Sequence, residues 1–209
     1  MAKLGILIAI LVLASGAYLI YTKSIAPKPL SNIIPVVSPT KQVEVQADTV
    51  TTDALKQGGS SYLDKAGVYS FLYPADYVLD QQPDGMHTRI SKRGATQKGQ
   101  TEMYDGVIMV FDGVATNGKT LGTWVDDDIK KLTADGTVSI VTPKESVKIG
   151  KYSGYRYVAR GLGDATYYVI QKDSSSQNAV LITTLVADPQ KVEYQKEVDS
   201  ILSSIQILK

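Results

Sequence analysis

"GVYSFLYPADYVL", residues 67–79, holds a strand signal interrupted by a proline and then resumed. Val68 to Tyr73 alternate and are rich in aromatic residues, which predicts a strand. Pro74 ends it, because proline has no N–H to give to a ladder and drives the preceding Tyr73 into an extended conformation. "YPADY" (73–77) is then a strand end and a corner, and "YVLDQ" (77–81) begins the next strand. "QPDGM" (82–86) supplies Pro83, Asp84 and Gly85, a turn with a mechanism, before the strand "MHTRIS" (86–91). The expectation is a meander of antiparallel strands, with Tyr73-Pro74 closing the first long strand and Tyr77 packed at its edge.

Downstream, "RGATQKGQTEMYD" (93–105) reads as a polar loop. "DGVIMVFDGVA" (105–115) is apolar at almost every position and predicts a central strand covered on both faces. The period then changes. In "NGKTLGTWVDDDIKKLTADG" (117–136), Leu121, Trp124, Val125, Ile129 and Leu132 fall on one helical face, and Gly136 follows the helix end. Strands return at "VSIVTP", "ESVKIG", "YSGYRYVARG", "ATYYVIQKD" and "AVLITTLVAD", joined by short turns. A closing helix is predicted to start with Asp188 as its cap and Pro189 in the first turn, burying Val192, Gln195, Val198, Ile201, Leu202 and Ile205. No repeat of solenoid spacing is present.

The order of these motifs resembles the PsbP-like domains: "VYSFLYPADYVLD" is similar to their opening signature, with Tyr77 where tryptophan is frequent. The "LGTWVDDDIKKL" helix, the "VKIGKYSGYRYVARG" hairpin, the "TYYVIQKD" and "VLITTLVAD" strands and the "VDSILSSIQI" helix follow in the same order. The resemblance covers residues 62 to 209. It implies an α+β fold, an α/β/α sandwich around a central antiparallel sheet, used by relatives as an accessory or protein-binding module with no shared active site.

Upstream, Leu4 to Tyr21 forms eighteen residues without a charge between Lys3 and Lys23. That length just spans a bilayer core, and Tyr18 and Tyr21 suit an interfacial aromatic belt. The fold class is therefore read as preceded by a single N-terminal transmembrane helix, so residues 4–21 make the membrane a partner. Cleavage after Ala17 of "SGA" is the competing reading, a signal peptide. Residues 24–61 carry Pro27, Pro29, Pro35 and Pro39, half of the eight prolines in the chain, and end in Gly58, Gly59 and two serines. The division expected is 1–23 anchor or signal segment, 24–61 tether and 62–209 folded domain, with that domain on the extracytoplasmic side of a cell membrane.

Composition narrows the chemistry. Lys plus Arg number 22 and Asp plus Glu 21, a formal charge of +1 that gives no field for nucleic acid. Cysteine is absent, which removes disulfides, thiolate nucleophiles and a lipobox. His87 is the sole histidine, and it lacks recognisable triad or metal partners; His87→Ala is expected to leave any activity unchanged. Asp126, Asp127 and Asp128 fan out by about 100 degrees each on a helix, so they read as a solvated face and not as a metal site. "GLGD" (161–164) reads as a hairpin turn, since it lacks the lysine and following helix of a phosphate loop.

The thirteen tyrosines against two phenylalanines stand out. Tyr155, Tyr157 and Tyr167 fall on nearby strands, where they pack the sheet or form a binding rim. Arg156 and Arg160 share the opposite strand face and are candidates for an anionic partner. These five are the candidate binding residues; no catalytic residue, cofactor or metal ligand is named. Two functions follow: a membrane-tethered, non-catalytic binding or accessory domain for a protein or envelope component, or an extracytoplasmic hydrolase using an Asp/Glu pair on wall polysaccharide.

Overall fold

The computed structural model describes residues 43–45, 58–81, 87–98 and 103–209. The apolar segment 1–23, most of 24–61 and the 82–86 turn lie outside the described residues. Among the described residues no helix is long and apolar enough to cross a membrane.

In chain order the elements are β1 (Val43–Val45), β2 (Ser60–Leu63), β3 (Tyr69–Tyr73), β4 (Val78–Gln81), β5 (His87–Arg93), β6 (Gly106–Ala115) and α1 (Leu121–Leu132). Then come β7 (Ser139–Ile149), β8 (Tyr152–Arg160), β9 (Asp164–Gln171), β10 (Asn178–Ala187), α2 (Tyr194–Ser203) and β11 (Gln206–Ile207). Eight strands form one sheet in the order β1-β7-β8-β9-β10-β6-β5-β4, and β11-β3-β2 form a second, small one. Strand pairs are antiparallel except β1 with β7, which is parallel, so the large sheet is mixed. β1 lies inside the 24–61 stretch, and β2 starts two residues ahead of Tyr62.

Strand alternation gives the large sheet two apolar faces. Tyr168, Ile170, Val180 and Ile182 point to one side, where they meet α2 and the small sheet in the larger core. Val169 and Ala179, from the same strands, point to the other and meet Leu121 and Val125 of α1. The result is a three-layer arrangement: α1, the large sheet, then α2 with the small sheet.

The 67–79 stretch does not build one meander. β3 ends at Tyr73 as expected, alternating buried and half-buried residues. Pro74 then carries the chain from the small sheet to the large one, where β4 pairs with β5. The corner is closed by Tyr77 N–H donating to Pro74 O at 3.1 Å. Tyr77 is buried, and its hydroxyl donates to Glu197 Oε2 of α2 at 2.9 Å. Lys92 Nζ reaches Glu197 Oε1 at 2.8 Å and Asp76 Oδ2 at 2.9 Å, so β5, the corner and α2 are pinned together.

The tyrosine excess has its explanation at this junction between layers. Tyr62, Tyr69, Tyr73, Tyr77, Tyr152 and Tyr194 are all buried in the larger core. A phenolic oxygen lets a large apolar ring also satisfy a buried polar group. Tyr69 donates to Phe111 O at 3.1 Å, Tyr62 accepts from Thr88 Oγ1 at 2.7 Å, and Tyr152 accepts from Ile207 N–H at 2.9 Å.

Four further expectations are corrected. "VSIVTP" and "ESVKIG" are one strand, β7, with irregularities between Ile140 and Glu145 around Pro143. Proline is tolerated there because β7 lies next to the edge and only Val147–Ile149 pair with β1. β6 buries Val107, Met109 and Phe111 on one face, while Ile108 and Val110 on the other are half-buried. The last helix begins at Tyr194, not after Asp188, and Val192 is 53% exposed. Asp188 still satisfies orphan donors: its carboxylate accepts from Val192 N–H and Glu193 N–H at 2.8 Å each.

Candidate functional site

Helix α1 carries aromatic, acidic and basic side chains close together, Trp124, Asp126 to Asp128, Lys130 and Lys131. Thr120 caps it, its Oγ1 accepting from Thr123 N–H at 3.2 Å. Leu121 and Val125 anchor the helix on β8 and β9. Gly122 allows the approach, since a Cβ there would lie 3.0 Å from Tyr155 Oη.

The three aspartates diverge as helical geometry requires. Asp126 Oδ1 meets Lys144 Nζ at 2.6 Å, and Asp127 Oδ2 meets Lys119 Nζ at 2.6 Å. Asp128 departs from the solvated-face expectation. It turns toward the sheet, and Tyr157 donates its hydroxyl proton to Asp128 Oδ2 at 2.8 Å. Burial pushes the Asp128 carboxyl up, with the Tyr157 bond opposing the shift. Asp127 goes the other way, held below the usual carboxylate range by Lys119. Among the described residues no group of three or more metal-ligating side chains forms.

Tyr157 and Tyr167 come together beneath this carboxyl, stacked with centroids 4.7 Å apart and planes 2° from parallel. Tyr157 is fully buried, so its contribution is to the floor and not to a binding rim. Burial raises the Tyr157 and Tyr167 hydroxyl pKa values further, keeping both phenols protonated as donors. Tyr155 lies on the same face with Lys144 Nζ 5.0 Å from its ring centroid.

The arginines are elsewhere. Arg156 faces the opposite layer and donates to Glu145 Oε1 at 2.6 Å. Arg160 forms a bidentate pair with Asp164 across the β8–β9 hairpin, at 2.6 and 2.9 Å. His87 is half-exposed on β5, its Nδ1 contacting Asp112 Oδ1 of β6.

Beside Asp128 is a concavity of about 70 Å³ bounded by Thr116, Asn117, Lys119, Trp124, Asp127, Asp128 and Lys131. Asn117 adopts a left-handed φ of 52° in the turn that leads into α1. The sequence marks Tyr157 and Tyr167 as binding candidates and reads the three aspartates as a solvated face. That reading misses Trp124, Lys119 and Lys131 as components of one site. The signal was present: Asp128 stands three residues after Val125 and four before Leu132, on the buried stripe.

Because Asp128 has a raised folded-state pKa, ionising it opposes folding. The folded state binds more protons between the unfolded and folded pKa values, so this contribution is favourable at low pH and is lost as pH rises. Asp128→Asn keeps an acceptor for Tyr157 and removes the charge. The variant is expected to melt higher than wild type at pH 7, with the gap closing as pH falls below about 4, near the unfolded carboxylate value. Thermal melts across pH 3–8 read this out; a variant that melts lower at pH 7 would show that the ionised pair stabilises.

No family model matches the chain, and no curated protein does. Among solved structures, the chain is similar to the cyanobacterial PsbP (CyanoP) of Synechocystis sp. PCC 6803, at 12% identity and TM-score 0.46, covering 72% of this chain and 92% of that one. It is also similar to the Ran-binding protein Mog1p of Saccharomyces cerevisiae, at 10% identity and TM-score 0.45, covering 73% and 96%. LpqN, involved in cell envelope biogenesis of Mycobacterium tuberculosis, is similar at 9% identity and TM-score 0.46, covering 82% of this chain and all (100%) of that chain.

Proposed function

We propose that this protein is a non-catalytic binding domain, held at a membrane by residues 4–21 on the extracytoplasmic side, whose α1 face receives a protein partner of the envelope. The observation that carries the reading is the size and lining of the concavity beside Trp124. Small-molecule sites run to roughly 300–1,000 Å³. A space of about 70 Å³ admits the end of one side chain. Trp124 offers an aromatic wall, and Lys119, Lys131, Asp127 and Asp128 give both signs of charge around it, the pattern of an apolar anchor point with a polar rim. Arg160 and Tyr155, at the far hairpin and beside Lys144, lie outside this cluster and extend the surface available to a large partner.

The test is cross-linking from intact cells with the full-length chain, comparing wild type with Trp124→Ala and with Lys131→Glu. Each is expected to reduce recovery of the same cross-linked protein at least tenfold. Lys131 is exposed, so Lys131→Glu is expected to fold as wild type does, and unchanged recovery with it and with Trp124→Ala would remove α1 from the interface.

A second reading has one observation in its favour. Asp127 and Asp128 border the same concavity with their pKa values displaced in opposite directions, the arrangement that separates acid from base in carboxylate hydrolases. Under that reading wild type cleaves wall polysaccharide and Asp128→Asn abolishes the cleavage; under the binding reading wild type shows no such cleavage.

A further inference from the structure

Helix α1 covers only part of its side of the large sheet. Leu121 and Val125 seat it on β8 and β9. Helix α2 and the small sheet lie against the opposite face, so among the described residues no element crosses β6, β5 and β4 beside α1.

The pairing registers show what this bare part of the face carries, because directly opposed residues share a face. One row runs from Tyr157 and Tyr167, beneath α1, through Thr183 of β10 and Val110 of β6 to Arg89 of β5 and Asp80 of β4. The next row is Leu185, Ile108, Ser91 and Val78. Ile108, Val110 and Leu185 are half-buried yet belong to neither hydrophobic core, and Val78 is 66% exposed at the rim. Arg89 lies among these apolar side chains. Its Nε is shut off from solvent and has no hydrogen-bond partner among the described residues. Asp80 opposite it is exposed, and Asp112 on the same face contacts His87; neither reaches that nitrogen.

We propose that this part of the sheet is a docking surface for an amphipathic helix of a partner protein, which lies alongside α1 and sets an Asp or Glu side chain against Arg89. The proposal rests on the reading of this domain as a partner-binding module and deepens it by naming the partner's chemistry. The dimensions agree. Strands lie about 4.8 Å apart, so β10 to β4 spans roughly 14 Å, which accommodates one helix of about 10–12 Å diameter. Layered folds complete an apolar sheet face with a helix in the same way. The charge agrees as well. A guanidinium held on apolar ground is poorly hydrated, and a carboxylate meets its Nε and one Nη with two parallel hydrogen bonds. A basic or wholly apolar helix leaves that donor buried and unpaired, which costs free energy and selects for an acidic partner.

The test places a photo-reactive benzophenone side chain at position 78, on the exposed rim, in the full-length chain in intact cells. The expected product joins this chain to another protein at a segment with apolar residues spaced i, i+3, i+4, i+7 and an Asp or Glu among them, as mapped by peptide mass spectrometry. Arg89→Glu and Arg89→Leu are each expected to lower its yield at least tenfold. In the purified full-length chain in detergent micelles, Arg89→Leu is expected to melt no lower than wild type, since no internal bond of the Nε is lost; an arginine that served only the fold would lower the midpoint. A product joined to lipid, to a second copy or to the chain's own residues, no product at all, yield unchanged by both variants, or a lower midpoint for Arg89→Leu would each overturn the proposal. Yield lost with Trp124→Ala but kept with both Arg89 variants leaves α1 as the interface and removes the sheet surface. Yield lost with the Arg89 variants alone leaves the sheet surface and removes α1.

Discussion

Phe111→Ala is expected to destabilise the protein by about 3–5 kcal/mol, among the largest effects of a single side-chain truncation here. Phe111 is fully buried on β6. It stacks on Phe71 of β3 with centroids 4.1 Å apart and planes 13° from parallel. Its ring therefore joins the large sheet to the small one, and its carbonyl receives the Tyr69 hydroxyl. Removing it leaves a cavity between two layers that are tied to different backbones and cannot collapse together. Ile108→Ala, half-buried on the other face of the same strand, is expected to cost far less. Urea unfolding of the full-length chain followed by circular dichroism measures both. Equal costs would mean that the two sheets are not coupled through this ring pair.

Gly154→Ala is expected to disrupt β8 more severely than its added methyl group would imply. Gly154 sits opposite Ile170 in the β8–β9 ladder. A Cβ there would press into the Val169 carbonyl oxygen and come within 2.8 Å of Ile170 Cγ2. The first of these is backbone in a strand buried on both faces, so no rotamer change relieves the clash. The ladder has to separate, and with it the floor that Tyr157 and Tyr167 provide for Asp128. The expected loss is about 3 kcal/mol or more, against roughly 0.5–1 kcal/mol gained where alanine replaces glycine in an unstrained strand. A thermal midpoint lower by roughly 10 °C is the corresponding readout for a chain of this size. Gly118→Ala is the contrast, since nothing lies within 4 Å of its added Cβ and the cost there comes from a φ of 77° alone.

Local rules account for the features that were legible in the residues alone. The alternation of Val68 to Tyr73, its stop at Pro74, the amphipathic α1 with Gly136 beyond its end, and the turns at Gly150 and at 161–163 all follow from side-chain period, ring constraint and φ preference over a few residues. The absence of cysteine and the balanced charge are likewise facts of sequence. Which distant partner each segment meets became clear only in the folded chain. β3 and β4 carry the same strand signals, yet they belong to different sheets, because alternation fixes a strand's two faces and not its neighbour. Pro143 split β7 in the reading and not in the fold, since it falls at the irregularities of the β7–β8 ladder, where a missing N–H costs no regular pairing. Asp188 was taken for the cap of α2, although its carboxylate works across a turn that only the folded backbone closes. Helical geometry separated Asp126, Asp127 and Asp128 correctly, but placing Asp128 over Tyr157 required knowing where α1 sits on β8. The residues that bound the concavity at Trp124 are neighbours in sequence, from a turn and the helix that follows it; what local rules left open was how α1 seats on β8 and β9, which turns Asp128 toward Tyr157.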